Sequence, residues 1–184
     1  MGRTYWNAMN LQLIFGSSVA SGLIAWGVFS ALYLWPRLEG RSRADALRPL
    51  LVLHGFRFIG LSFLVPGVVS ADLPMTFARD AAYGDLAAAA LALLALAASR
   101  SRWGGALTWV FNIWGTFDLL NAFYQANASG LSPSQFGAAF FIPTFIVPIL
   151  LITHGLVFRI LLKADRSLDV DEASIGRFGK TAGW

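Results

Sequence analysis

Leu47–Ser70 reads LRPLLVLHGFRFIGLSFLVPGVVS, and the reading of this stretch decides the fold. It is long and apolar enough to cross a bilayer, which takes about 20 residues of α-helix. Yet it carries His54 and Arg57, three positions apart and so on nearly one face of a helix. Ionisable side chains inside a span are costly, and they face a bundle interior or a wet cavity. The stretch therefore reads as a span that turns a charged face toward other helices.

Composition agrees. Of 184 residues, 57% are hydrophobic and 13% charged, and the mean hydropathy is +0.61; a soluble domain carries about a quarter charged residues. The expected fold is all-α, a polytopic membrane protein built as a five-transmembrane-helix bundle. One transmembrane domain covers 1–163, with spans at about 11–35, 47–70, 81–99, 103–126 and 136–162, and a polar cytoplasmic tail covers 164–184. The first run continues to Trp35, too long for a signal-peptide core, and reads as a retained span. The net charge of +4 does not point to nucleic acid, because the basic residues flank apolar runs, where they act as topology signals. There is no cysteine, which removes disulfides, thiolate metal sites and iron–sulfur clusters. His54 and His154 are the only histidines.

Working outward, the first span holds small-xxx-small pairs at Gly16/Ala20, Ser17/Ser21 and Ser18/Gly22, a pattern for close helix packing in lipid. Pro36 is expected to stop it, and Pro66 to kink the second span. The third span is mostly Ala and Leu, with Asp85 in its first turns, where an acid favours the helix dipole. The fourth is the most polar, with Asn112, Thr116, Asp118, Asn121 and Gln125. The fifth holds Pro143, Pro148 and His154, and its prolines are expected to leave the carbonyls of Ala139 and Thr144 without their usual donors.

Basic residues set the orientation. The first loop has four Arg and the third has two, and Arg159, Lys163 and Arg166 stand where the fifth span ends and the tail starts; the second loop has one Arg and the fourth none. The positive-inside rule then puts the N-terminus outside and the C-terminus in the cytoplasm, as in a bacterial inner membrane. Tyr5, Trp6, Tyr83 and Tyr124 mark the outer interface, and Trp35 and Trp103 the inner one.

With this topology His54 lies roughly 10 Å, and His154 roughly 13 Å, from the cytoplasmic ends of their spans. Arg57 and Asn112 fall near that level, and Arg57 can reach Asp118 if the second and fourth spans pack together. The expected substrate or proton site is therefore His54, Arg57, Asn112, Asp118, Asn121 and His154. The leading functional reading is small-solute or proton-linked transport, because intramembrane ionisable groups mark such paths. The alternatives are a b-type haem redox subunit, with His54 and His154 as axial ligands, and a non-catalytic assembly subunit. The partners expected are the lipid bilayer and a second copy or another membrane protein. No HExxH, GxSxG, His-rich iron or clustered acidic metal motif occurs, so an enzymatic reading lacks a nucleophile and no metal site is assigned.

Overall fold

Five long helical elements follow one another in the computed structural model, which describes residues 2–178 and the side chains of residues 10–163. No strand occurs among the described residues. Helix α1 comprises Gly2–Phe29, a π turn Ser30–Leu34 and a last turn Trp35–Leu38. Helix α2 is Arg43–Gly55 running directly into a 3₁₀ stretch, Phe56–Leu64. Helices α3 and α4 are Met75–Ala97 and Gly104–Ala128. Helix α5 is a π turn Ile142–Ile146 followed by Val147–Phe178.

Four segments are long and apolar enough to cross a membrane: Asn10–Leu38, Arg43–Leu64, Met75–Ala97 and Ile142–Lys163. The remaining long helix, α4, is as long, at 25 residues, but its Asn, Asp and Gln positions lower its hydropathy. The outside of the bundle is apolar, with Ile24, Leu32, Phe58, Ile113, Phe117 and Phe145 all exposed, a surface compatible with insertion in lipid.

Several boundaries differ from the sequence reading. Pro36 does not stop α1: the backbone widens into the π turn, where Trp35 N–H donates to Ser30 O, and helix continues to Leu38. Gly40, at φ 82°, makes the turn that ends it. Helix α2 begins at Arg43, four residues early, because the Ser42 hydroxyl accepts from Asp45 N–H and caps it. Pro66 lies beyond α2 and does not kink it, since Val65 before it is already extended. Helix α3 starts at Met75, so Asp85 sits in mid-helix and away from the dipole's positive end. The expected fifth span is broken: Pro133–Phe140 is a separate 3₁₀ segment with Gly137 at φ 52°, ψ −130°. Ala139 O is not left free, because Phe141 N–H donates to it. Thr144 O lies against Gly22 of α1. The side chains of Tyr5, Trp6 and the residues of the tail lie outside those described; the backbone stays helical to Phe178.

Helix α3 is the centre of the bundle and packs along α2 and α4. Its buried stripe is Ala78, Ala82, Asp85, Ala89 and Ala92, small side chains spaced four and three apart that let neighbouring backbones approach. Helix α1 rests at the edge on α5, where Gly22 meets α5 and Trp26 Nε1 donates to Phe145 O at 3.1 Å. Gly22, of the Ser18/Gly22 pair, thus serves packing within the chain.

The loop after α2 is pinned to the 3₁₀ segment: Ala138 N–H donates to Val68 O at 2.8 Å and Ser70 N–H to Gln135 O at 3.0 Å. A Cβ on Gly137 would meet Val68 O at 2.5 Å, at a φ that L side chains avoid. Gly137→Ala is expected to lower stability by about 1–3 kcal/mol, read as a fall in the melting temperature of the detergent-purified protein; an unchanged melt would show that this pinning is dispensable.

Candidate functional site

The 3₁₀ stretch of α2 determines which side chains share a face. A 3₁₀-helix has three residues per turn, so positions three apart eclipse one another. Arg57, Gly60 and Phe63 form such a row, with His54 three positions before Arg57 on the last α turn, and all four are buried. Phe56, Phe58 and Ile59, on the other faces, are exposed.

Arg57 is 1% exposed and is held by three other segments of the bundle. Its Nε donates to Asp85 Oδ1 of α3 at 2.7 Å and its Nη2 to Asp118 Oδ2 of α4 at 2.6 Å. Its Nη1 donates to Gly115 O at 3.1 Å and lies 3.3 Å from His154 Nε2 of α5. His154 Nδ1 lies 2.7 Å from Asn112 Oδ1, and Asn112 Nδ2 donates to the His154 carbonyl at 3.3 Å. The pattern assigns the tautomer. Nδ1–H of His154 donates to Asn112, and the Nε2 lone pair accepts from Arg57, so His154 is neutral.

His54 lies one layer further from the carboxylates. Its Nε2 is 3.0 Å from Thr153 Oγ1, whose own proton goes to Ile149 O at 2.7 Å. The hydroxyl therefore accepts from His54 Nε2–H, and Nδ1 keeps a buried lone pair with no partner. The rings of His54 and His154 are 4.2 Å apart between centroids, and both touch Phe111. This contact argues against the haem reading. Axial histidines stand on opposite faces of a macrocycle, and rings already in contact leave no slot for one. Among the described residues, no three His, Asp or Glu side chains converge as metal ligands.

Asn121 does not join the bonded cluster. It lines a narrow cleft with Asp80, Asp118 and Gln125. Asp85, by contrast, is a member that the sequence reading left at a helix end. A signal for it existed, because Asp85 falls in register with the buried alanines of α3. Three glycines also belong to the site. A Cβ on Gly60 would strike Asp85, one on Gly84 would strike Asp118, and one on Gly115 would come within 2.8 Å of both His154 and Arg57.

The two halves of the bundle differ around this cluster. On one side, Leu50, Leu51, Phe111, Val157 and Leu161 form a packed apolar layer. On the other, Asp85 and Asp118 line a cavity of about 180 Å³ between α1, the end of α2, α3, α4, the 3₁₀ segment and α5, with exposed Gln12, Asn127 and Gly130 at its rim.

Fold and cluster together define a class: an all-helical protein, with several helices apolar enough for a membrane, built around a buried arginine shared by two carboxylates. The chain belongs to the family described as a domain of unknown function, DUF8737, which matches residues 14–162 and so includes every member of the cluster. No curated protein and no solved structure matches the chain.

Removing Arg57 leaves the buried Asp85 carboxylate and the half-buried Asp118 carboxylate facing each other. Arg57→Leu is expected to destabilise by about 3–5 kcal/mol, and adding Asp85→Asn and Asp118→Asn should restore much of the loss. Thermal unfolding in detergent checks this; a single variant that melts with the wild type would mean that the cluster does not support the fold.

Proposed function

We propose that this is a small-solute carrier linked to proton movement, in which the pair Asp85 and Asp118 is the site of exchange. The observation that carries the reading is the placement of two carboxylates, sharing one buried guanidinium, at the inner end of a cavity open toward one end of the bundle. Charged groups in a span mark paths for ions and solutes. A cavity on one side and a sealed layer on the other is the arrangement that alternating access requires. The 3₁₀ stretch Phe56–Leu64 and the π turn Ile142–Ile146 lie beside the site, and such irregular turns commonly mark hinges. Arg57, His154 and Asn112 position the carboxylates, and His54 joins the site to the apolar seal.

In this reading α4 also crosses the membrane, as the fourth of five spans, the N-terminus is outside and the C-terminus cytoplasmic, in a bacterial inner membrane. The first and third loops carry the arginines, and the cavity then faces outward. The absence of cysteine makes the orientation simple to test. An impermeant maleimide should label Ser129→Cys on intact cells and Arg41→Cys only after permeabilisation; the reverse pattern would invert the proposed topology.

Transport itself is tested in liposomes loaded with a small-molecule cell extract and placed in a pH gradient. Mass spectrometry should show solutes lost from wild-type liposomes and retained in empty ones and in those carrying Asp118→Asn, with the loss changing when the gradient is reversed. If wild-type and empty liposomes retain the same solutes, the carrier reading fails.

A further inference from the structure

The cavity beside the cluster has a size, a lining and a charge, and together they select a ligand. An apolar protein cavity of about 150 Å³ holds one benzene molecule. The cavity here is about 180 Å³, so it suits a body of one ring or a short branched chain. Its wall is aromatic. Phe63, Phe77 and Phe136 meet edge to face with centroids 6.0–6.3 Å apart, and Phe15 stacks on Phe136 at 5.8 Å.

Among the described residues, the charged ones that line it are Asp85 and Asp118, and no basic residue does so. Arg57 lies behind them, its Nε, Nη1 and Nη2 already directed at Asp85, Gly115, His154 and Asp118. A ligand therefore meets carboxylate and aromatic surface, which attract cations, and no free guanidinium that would hold an anion.

Charge balance points the same way. Two carboxylates against one guanidinium leave an excess of negative charge, and His154, as an acceptor from Arg57, does not offset it. Among the described residues, the other polar groups facing the pair are Asp80, across the cleft beyond Asp118, the neutral Asn121 and Gln125 of that cleft, and the neutral Gln12 and Asn127 at the cavity rim. An uncompensated buried charge is costly, so the pair holds either a proton or a cationic ligand.

We propose that the cavity binds a small organic amine in its ammonium form, with a body the size of one ring. The ammonium sits on Asp85 and Asp118 while the body lies among the phenylalanines. Arrival of the ammonium displaces the carboxyl proton to the medium, and departure lets a proton return, so no charge is left over in either state. This rests on the reading of Asp85 and Asp118 as the exchange site, and it makes the carrier an amine–proton exchanger.

The test uses the full chain in detergent, with phenethylammonium and cyclohexylammonium as probes, 2-phenylethanol and cyclohexanol as neutral counterparts, and phenylacetate as the anion. Calorimetry in weak buffer with a pH indicator reads affinity and proton release together. Each ammonium is expected to bind at least about tenfold tighter than its alcohol, roughly the effect of one charge-assisted hydrogen bond, and to release a proton to the medium. Asp85→Asn and Asp118→Asn should each weaken the ammonium about tenfold or more and leave the alcohol unchanged. The comparison of probes needs no variant, so a variant that fails to fold does not decide the outcome. Phenylacetate binding as well as the ammonium ions, or neither ammonium binding, overturns the proposal. The two readings fail separately: ammonium binding without solute loss from liposomes removes the carrier and keeps the amine site, and loss of neutral or anionic solutes alone does the reverse.

Discussion

A guanidinium at the centre of a helical bundle has to be met by acceptors, because an unpaired charge there costs several kcal/mol. Arg57 is met from three segments at once, by Asp85 on α3, by Asp118 and the Gly115 carbonyl on α4, and by His154 on α5. None of α2, α3, α4 and α5 could shift against the other three without breaking one of these bonds. In lipid, where apolar contact between helices gains little over contact with lipid tails, such bonds and close packing hold the helices together. Helix α1 brings nothing to Arg57. It attaches to α5 through Gly22 and the indole of Trp26, so its apolar outer face stays open.

The cluster imposes its geometry on the backbone around it. A nine-residue 3₁₀ stretch is long for that conformation. Its three-fold repeat sets Arg57 directly above Gly60 and Phe63, whereas an α-helical repeat would rotate successive members off the line. The row leaves Gly60 facing Asp85, Gly84 facing Asp118, and Gly115 facing the His154 ring. Three glycines at the three approaches have one steric cause: the charged side chains need the room that a Cβ would occupy.

Much of this was legible from local rules. The apolar runs gave the helices, the polar face of α4 is evident from its residues, and helical rise brought His54, Arg57 and His154 to one depth. Arg57 reaching Asp118 followed from its length. The rest depended on interactions that the chain order hides. Local rules start α3 at about residue 81, six residues after Met75, and so turn the mid-helix Asp85 into a terminal acid. The alanine register that contains it was the stronger signal. Pro36 was read by its usual effect, and a π turn upstream cancels that effect. Gly137 reads as an ordinary helix residue until its positive φ shows that the fifth apolar run is two elements. The cavity has no sequence signature, because its phenylalanines come from α1, α2, α3, α4 and the 3₁₀ segment.

The arrangement also explains why the charged cluster sits at a boundary. Toward the apolar layer, every charge is spent internally: His154 is neutral by tautomer, and Asn112 closes its other nitrogen. Toward the cavity, the carboxylates remain in contact with open space. A cluster meant only to pin helices would be satisfied by one carboxylate per guanidinium, with both buried. A second carboxylate, turned to a cavity and uncompensated, leaves a charge that something outside the fold must balance. The stability of the bundle and the occupancy of the cavity are therefore linked through Arg57, because whatever neutralises the second carboxylate also changes how tightly α3 and α4 are held to α2.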